Sequence, residues 1–406
     1  MSSMPLVRCG AACGFALLSR SVLPLVLAPL LLAAVAPPAS AGLGLLGQFH
    51  PGVGSLVSAA FDQANGTVWV HGTFAADVRQ YTLAGAFVSS VPRPGESADD
   101  IDLEIAPEAL LLAGTPVPAG TLLVINGESG AADIYAVDKG TGAVLATLHT
   151  AFGTSHVVGG AYHAARGTFF LVQDRVPPAA ADQSLVAEVD ALTGAVLGSF
   201  KTDVSLPGFT VFFGDLDVSA ATGNLRVVSS DESALAEFTP TGTLVQQHAL
   251  PAGVASLSGL GLDDAGGGAW VSESGGAVLH LGGFAWSSLG GALAGSAGTP
   301  VLTGSGTLVA GSPTTLAVQH GKPSTTSWIV VGFAQLGLPF KGGTMVPDPV
   351  VVVGGIPIDA GGTATLAFPW PAAIPSGFPL YHQFWMADSA GPAGFSATNG
   401  LRALSP

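Results

Sequence analysis

Short apolar runs of strand length alternate with polar, glycine-rich turns through most of the chain. Apolar runs of this length, bounded by turn residues, predict β-strands rather than helices. The composition agrees, because the 57 Gly and 29 Pro residues would cost about 1 and about 3 kcal/mol each inside a helix. The pattern therefore predicts an all-β protein.

The apolar runs are grouped into five similar segments. A complete segment has four runs, with a turn ending in glycine before the second run, a variable polar loop before the third and a turn of the T-G type before the fourth. The segments begin near Ala59, Gly120, Ala161, Leu216 and Leu260. Repeats of four short strands joined by hairpins predict the blades of a β-propeller, because such a sheet buries both faces only against its neighbours.

The repeats predict five blades, with six as the alternative if residues 281 to 297 contain further strands. The fifth segment lacks a clear outer strand, whereas LGLLGQFHPG from Leu43 reads as an outer strand with no segment of its own. We therefore predict that this N-terminal strand completes the last blade and leaves no sheet edge open.

A different pattern begins at Gly298, where about six to eight strands are separated by Gly and Pro turns. It predicts a small antiparallel β-sandwich. The predicted organisation is a signal peptide (1–41), a propeller (42–286), a flexible linker (287–298) and the sandwich (299–406).

The first 41 residues read as an export signal. Arg8 and Arg20 are basic, an apolar stretch follows, and Ala39 to Ala41 form a small-residue cleavage site, so we predict cleavage after Ala41. A membrane anchor is the alternative, but Pro24 and Pro29 break the apolar stretch. No later segment has the roughly 18 continuous apolar residues of a membrane span. The predicted location is outside the cell or in the cell envelope.

Both cysteines, Cys9 and Cys13, lie within the predicted signal, so the mature chain would have no disulfide. Removing Arg8 and Arg20 from the 12 basic residues leaves ten against 27 acidic ones, a formal charge of about −17. Such an acidic protein repels phosphate backbones, which disfavours nucleic-acid binding.

Two pairs of acids occupy positions in the first strand of a repeat where other repeats have small residues. They are Asp102 and Glu104 in the second repeat, and Asp215 and Asp217 in the fourth. Residues two apart on a strand point to the same face, and burial between blades would be costly for a charge. We expect both pairs to face the central channel.

Four carboxylates around a narrow channel would raise one another's pKa values or recruit a cation. They therefore predict a site for Ca²⁺ or a similar hard cation, with Glu128, Asp231 or Glu273 contributing at the loop mouth. The alternative is that the acids are solvated or cap strand ends.

The sequence contains neither a zinc-binding histidine motif nor a serine-nucleophile motif. The histidines His50, His71, His156 and His163 are scattered without an H-x-H or H-E-x-x-H pair, which disfavours a zinc site. Ser229 and Ser230 have no G-x-S-x-G context. These observations favour a protein that is not an enzyme.

Residues from about 43 to 285 resemble the NHL-like propellers. Within that group, DLDVSAATGNLRVVSSDESALAEFTPTGTLV, followed by SGLGLDDAGGGAWVSES, is similar to the SdiA-regulated family. Asp215, Asp217, Asp231 and Glu232 match that family's acidic pattern, while Ile105 stands where the pattern has glycine. The sequence from Gly298 onwards is similar to C-terminal β modules of exported bacterial proteins. The resemblance implies a propeller fold and either calcium binding or an esterase-like activity.

Together these features predict an exported binding or interaction protein that recognises a ligand or protein on the propeller's loop face. The C-terminal module would serve in surface attachment or spacing. The alternative function is a calcium-dependent hydrolase, of lactonase or phosphoesterase type, that uses the channel carboxylates.

Overall fold

The protein is described by a computed structural model over residues 42–176 and 179–406. The predicted signal and both cysteines lie outside these ranges. Within these ranges strands dominate the regular structure, which otherwise contains one short helix, α1 (Thr202–Ser205), and one 3-10 turn (Pro392–Gly394). The all-β prediction is therefore confirmed. No helix within the described ranges has the length and apolar character needed to cross a bilayer.

Five four-stranded antiparallel sheets, here called blades 1 to 5, extend up to Gly282. Their strands, with one separate hairpin formed by the seventh and eighth, are β1 (Gly44–Phe49), β2 (Leu56–Asp62), β3 (Thr67–Gly72), β4 (Asp77–Thr82), β5 (Phe87–Pro92), β6 (Asp102–Ile105), β7 (Leu110–Leu112), β8 (Thr115–Val117), β9 (Leu122–Asn126), β10 (Asp133–Val137), β11 (Val144–His149), β12 (Val157–His163), β13 (Thr168–Gln173), β14 (Leu185–Asp190), β15 (Val196–Lys201), β16 (Asp215–Val218), β17 (Leu225–Val228), β18 (Ala234–Phe238), β19 (Leu244–Ala249), β20 (Leu257–Asp263), β21 (Gly268–Glu273) and β22 (Val278–Gly282). Blade 1 contains β2 to β5, blade 2 contains β6 and β9 to β11, blade 3 contains β12 to β15, blade 4 contains β16 to β19, and blade 5 contains β20 to β22 with β1.

The first strand of each blade lies at the centre of the molecule. Strand β2 contacts β6 and β20, β12 contacts β6 and β16, and β16 contacts β20, so these inner strands form a closed circle. Small residues permit this approach: a Cβ atom on Gly159 would lie only 2.6 Å from Oδ1 of Asp215. The predicted propeller fold is confirmed by this arrangement.

The N-terminal strand completes blade 5, as predicted. In the β1–β22 pairing, Gly44 lies opposite Gly282 and Phe49 opposite Val278. The buried ring of Phe49 also lies 6.2 Å from that of Trp270, measured between ring centroids. This strand therefore leaves β22 with a partner on both sides.

In every repeat except the second, the glycine of the first turn has a conformational cause. Gly167 and Gly223 have φ values of 68° and 70°, which L-residues with a Cβ adopt at a cost. In blade 2 the corresponding turn is replaced by the hairpin β7–β8, which the sequence did not predict. Its Ala113 N–H donates to the carbonyl of Ala191 in blade 3, at 2.9 Å, so the hairpin links two blades.

The C-terminal part contains further antiparallel strands. They are β23 (Trp286–Ser288), β24 (Val301–Ser305), β25 (Pro313–Gln319), β26 (Thr325–Gly332), β27 (Gln335–Phe340), β28 (Gly343–Pro347), β29 (Val351–Ile358), β30 (Ala364–Pro369), β31 (Pro379–Ala387), β32 (Phe395–Ala397) and β33 (Leu401–Leu404). One sheet has the order β23-β33-β31-β26-β29, with β32 beside β31, and a second has the order β24-β25-β30. Buried Trp286, Leu302, Trp370 and Phe384 pack in one core between them. Ten strands, β24 to β33, follow Gly298, which is more than the six to eight predicted.

The segment predicted as a flexible linker, 287–298, differs from that prediction. Residues 287 and 288 belong to β23 and pair with β33, and the Leu293 and Ala397 backbones exchange hydrogen bonds of 2.8 and 3.0 Å. The Gly, Ala and Ser content suggested flexibility, but backbone pairing does not depend on side-chain size. No additional blade forms from residues 281 to 297. The proposed domain limits otherwise stay a prediction.

The C-terminal sheets pack directly on the propeller. Ala221, in the first turn of blade 4, belongs to the sandwich core, and its carbonyl accepts the N–H of Gly304 at 2.9 Å. Arg402 donates to the carbonyl of Gly266 in blade 5, at 3.0 Å. These contacts lie at the end of the ring where the inner strands finish.

Candidate functional site

The four acids predicted from the sequence meet along the axis of the ring. Asp102 and Glu104 lie on β6, and Asp215 and Asp217 lie on β16, with β12 between these two strands in the circle. The side chains of Asp102 and Asp215, here called the inner pair, lie close enough for each to change the pKa of the other. Glu104 and Asp217, the outer pair, lie close enough for the charge of one to act on the other.

Inner-pair oxygens bind the backbones of neighbouring blades. Oδ2 of Asp102 accepts the Gly160 N–H at 2.8 Å, and its Oδ1 accepts the Ser58 hydroxyl at 3.0 Å. Oδ2 of Asp215 accepts the Leu260 N–H at 2.6 Å. Since the free edge of an inner strand offers unpaired N–H groups, these carboxyls connect blade 2 to blades 1 and 3, and blade 4 to blade 5.

Burial changes the ionisation of the inner pair. Asp102 and Asp215 are almost fully shielded, with exposed fractions of 1% and 0%. Desolvation raises the pKa of Asp102 to about 8. Desolvation, followed by the charge of Asp102, raises the pKa of Asp215 well above its usual range. We infer that the two carboxyls share one proton near neutral pH.

The outer pair is less enclosed. Oδ2 of Asp217 accepts the Leu262 N–H at 2.7 Å, and burial raises the pKa of Asp217 to about 7. Glu104 is half-buried. Its pKa rises well above the usual value, first through burial and then through the charges of Asp217, Asp102 and Asp264.

Glu104 and Asp217 face a cavity of about 600 Å³. All five inner strands or their following turns contribute to its wall. Its acidic lining consists of Asp62, Glu104, Glu108, Asp217 and Asp264. His163 also lines it, and no Lys or Arg occurs among the described lining residues. Apolar side chains such as Phe61, Tyr162 and Leu262 complete the wall, so the cavity combines negative charge with apolar surface.

One acid of the lining is neutralised locally. Asp62 forms an ion pair with Lys139 of blade 2, and its Oδ2 also accepts Nδ2 of Asn65 at 2.8 Å. Asp264 has different surroundings. It accepts the Ala220 N–H at 3.1 Å and the Ser219 hydroxyl at 3.4 Å, and the positive charge of the buried Arg226 acts on it and on Asp217. Among the described residues, Glu104, Asp217 and Asp264 have no ion-pair partner within 4 Å, so the acids without a direct counter-charge lie on their side of the cavity.

The C-terminal part forms the remaining wall of the cavity. Ser288, Val301, Thr303 and Asn399 line it. The Asn399 side chain is fixed by two hydrogen bonds to the backbone of Leu302. Its Oδ1 accepts the Leu302 N–H at 2.7 Å, and its Nδ2 donates to the Leu302 carbonyl at 3.1 Å. The cavity thus lies between the inner strands and the sandwich.

The acids predicted at the loop mouth lie at the other end of the blades and remain apart. Asp231 pairs with Arg175 at 2.9 Å, Glu273 accepts the Ala255 N–H at 3.3 Å, and Glu128 accepts the Asp99 N–H at 3.1 Å. None of them joins the axial acids.

The serines of the neighbouring S-S-D-E-S loop are structural. The Ser229 hydroxyl accepts the Phe212 N–H at 3.0 Å, and the Ser230 hydroxyl donates to the Phe212 carbonyl at 2.6 Å. Both side chains hold the preceding loop in place, which agrees with the absence of a serine-nucleophile motif.

Sequence reasoning missed Glu108 and Asp264. Glu108 precedes the unpredicted hairpin, so its position depended on a feature that the repeat pattern lacks. Asp264 lies in the D-D-A-G-G-G turn after β20. The second acid of that turn could have indicated a site residue. An acid in a turn is usually explained by hydrogen bonds within the turn, however.

No protein-family model and no curated protein matches the chain. Many solved structures are similar to it, among them the following three. A protein of unknown function from Bacteroides caccae is 17% identical, with a TM-score of 0.34, 53% of this chain covered and 69% of that one. The calcium-binding protein regucalcin from Agrobacterium tumefaciens strain C58 is 15% identical, with a TM-score of 0.38, 61% of this chain and 96% of that one. A chain of a mitotic checkpoint complex is 11% identical, with a TM-score of 0.32, 56% of this chain and 62% of that one. Similarity at this level carries no argument about function.

Proposed function

We propose that the protein is an exported, non-enzymatic binding protein that holds a small organic cation in the cavity between its inner strands and its C-terminal sandwich. The observation that carries this proposal is the charge of the cavity. Five carboxyl side chains line it, and the described lining contains no lysine or arginine. A positively charged ligand would supply the missing counter-charge.

Size and chemistry favour an organic cation. A volume of about 600 Å³ falls in the range of small-molecule sites, which span roughly 300 to 1,000 Å³. Phe61, Tyr162 and Leu262 offer apolar surface for a hydrocarbon body. Glu104 and Asp217 would bind an ammonium or guanidinium group by charge-assisted hydrogen bonds.

The raised pKa values predict how the affinity for a cation changes with pH. Burial raises the pKa of Asp217 to about 7 and that of Glu104 well above its usual value. A cation favours the ionised carboxylates, so binding should release protons and strengthen as the pH rises through this range.

Calorimetric titration of the mature protein with 1,4-diaminobutane at pH 8 tests the proposal, with butane-1,4-diol as the uncharged probe. We expect the diamine to bind and the diol not to bind. Glu104→Gln should weaken diamine binding at least tenfold, and so should a change to pH 5. Glu273→Gln, at the other end of the blades, is the matched control and should leave the affinity unchanged. Equal binding of the two probes, or no binding of the diamine, would refute the proposal.

We also propose the location and the second role of the C-terminal part. Export to the medium or the cell envelope is supported by the charge and cleavage pattern of residues 1–41. Surface attachment or spacing remains our hypothesis for the sandwich. Because the sandwich also forms one wall of the cavity, we propose that it helps to enclose the ligand. Fractionation of cells expressing a tagged chain should place the protein outside the cytoplasm.

A calcium-dependent hydrolase of lactonase or phosphoesterase type is the second candidate, in line with the resemblance to SdiA-regulated propellers. It is favoured by Glu104, Asp217 and Asp264, which line one cavity and whose carboxylate oxygens are the ligand type that Ca²⁺ takes. Asp102 and Asp215 fit a cation less well, because backbone N–H groups occupy them. Bound Ca²⁺ would polarise a carbonyl or phosphoryl oxygen. Calcium-dependent hydrolysis of lactones or phosphate esters, lost in folded Glu104→Gln and in folded Asp217→Asn, would favour this candidate over the first.

A further inference from the structure

A second group of polar side chains lies at the opposite end of the ring from the cavity. Asp99 and Asp100 precede β6 of blade 2, and His156 precedes β12 of blade 3. One potential ligand atom from each residue lies within 4.8 Å of the other two. The three residues, here called the mouth cluster, thus join two neighbouring blades where their inner strands begin.

The contacts within the mouth cluster leave two carboxyl oxygens unused. Nδ1 of His156 lies 2.9 Å from Oδ2 of Asp100 and 3.9 Å from Oδ1 of Asp99. Oδ1 of Asp99 and Oδ1 of Asp100 are buried and have no hydrogen-bond partner, and Asp100 as a whole is only 2% exposed. A His–Asp ion pair explains the contact of Oδ2. It does not explain two shielded oxygens without donors, since buried polar atoms are normally satisfied.

Neighbouring residues hold the mouth cluster in position. Oε2 of Glu128 accepts the N–H groups of Asp99 and Asp100, at 3.1 and 3.4 Å. The His156 N–H donates to the Glu128 carbonyl at 3.3 Å, and the His156 carbonyl accepts the Asp174 N–H at 3.0 Å. These bonds maintain His156 at φ 50°, a left-handed conformation that costs a non-glycine residue energy and persists only when its surroundings enforce it.

We propose that Asp99, Asp100 and His156 bind a divalent first-row transition metal, with Mn²⁺ and Zn²⁺ as the ions that match the donors. One imidazole nitrogen and two carboxylate oxygens suit these ions, whereas Ca²⁺ prefers oxygen ligands alone. Three protein ligands leave positions for water or for a further ligand. Glu128 acts as a positioning residue through its bonds to the Asp99 and Asp100 backbone.

The site escaped sequence analysis because its ligands come from two repeats. The sequence analysis disfavoured a zinc site because the sequence contains no H-x-H or H-E-x-x-H pair. These motifs detect only ligands that are close in sequence. His156 is more than fifty positions from Asp100, and the ring brings them together. This proposal is independent of the one for the cavity.

The test uses the complete mature chain after treatment with a chelator. Titration with Mn²⁺ and with Zn²⁺ should show one bound ion per chain with an affinity at least tenfold higher than that for Ca²⁺. Co²⁺ should give a visible absorption band of a protein-bound ion, which reports direct coordination. Asp100→Asn and His156→Asn should each weaken Mn²⁺ binding at least tenfold, and asparagine tolerates the left-handed conformation at 156.

Two further variants keep the result interpretable. Asp99→Asn changes a partly exposed side chain and should weaken Mn²⁺ binding in a protein whose circular dichroism is unchanged. Glu273→Gln, outside the mouth cluster and the cavity, should leave Mn²⁺ binding intact. Full Mn²⁺ affinity in folded Asp99→Asn and Asp100→Asn would overturn the proposal, as would loss of binding in Glu273→Gln alone or no binding by the unmodified chain.

Discussion

The inner and outer acid pairs occupy the same two strands, two residues apart, and yet have different surroundings. Asp102 and Asp215 are sealed and bind backbone N–H groups of neighbouring blades, whereas Glu104 and Asp217 reach the cavity. Two residues along a strand correspond to about 7 Å. The comparison shows that depth along the ring axis, rather than residue type or spacing, separates structural acids from acids available to a ligand.

The largest expected effect is the loss of an inner acid. Asp215→Ala should lower the free energy of unfolding by about 3 to 5 kcal/mol, because it leaves the Leu260 N–H without an acceptor and Asp102 without its partner in a water-free place. Asp217→Ala should cost less, about 1 to 2 kcal/mol, since water from the cavity can replace its bonds. Urea unfolding of both variants at pH 7 measures the difference. Equal losses would mean that the two levels of the axis do not differ as described.

The next effect is a dependence of stability on pH. The pKa of Asp102 is raised from 3.8 to about 8 in the folded protein, so the folded state holds a proton that the unfolded state releases. This contribution is fully present below about pH 4 and is lost as the pH rises towards 8, with a slope of up to about 1.4 kcal/mol per pH unit. Unfolding measured between pH 5 and pH 9 should show the decline. Asp102→Asn should flatten it, and Glu273→Gln should not.

The smallest effect concerns the outer pair. Glu104→Gln should raise the unfolding temperature by about 2 to 4 °C at pH 8, because it removes a carboxylate that burial and neighbouring charges disfavour. Because burial and neighbouring charges raise the pKa of Glu104 well above its usual value, its carboxyl is less ionised at pH 5 and resembles glutamine more closely, so a smaller change is expected there. Thermal unfolding at the two pH values checks this. A stabilisation of the same size at pH 5 would assign the effect to packing instead.

Much of the fold was predictable from local patterns. The turn glycines, the hairpin turns and the polar loop of each repeat indicate four-stranded sheets, and the unpaired run from Gly44 to Phe49 indicated the strand that completes blade 5. The approach of Asp102 to Asp215 was also predictable, because small residues at the equivalent positions marked the crowded centre of the ring.

Other features depended on contacts that no local pattern records. The hairpin from Leu110 to Val117 interrupts a repeat, and residues 287 to 298 pair through backbone groups despite a linker-like composition. The mouth cluster joins Asp100 to His156 across two blades. The C-terminal sheets determine on which side of the ring the cavity lies. Their packing against Ala221 could not be predicted from the spacing of the acids.

The pairing of β1 with β22 has a consequence for how the chain matures. Strand β1 is synthesised well before its partner β22 (Val278–Gly282), so blade 5 cannot be completed while synthesis is in progress on the earlier repeats. Contacts between such distant parts of a chain slow folding. Under our proposal that the protein is exported, this delay would keep the ring open until both strands have crossed the membrane.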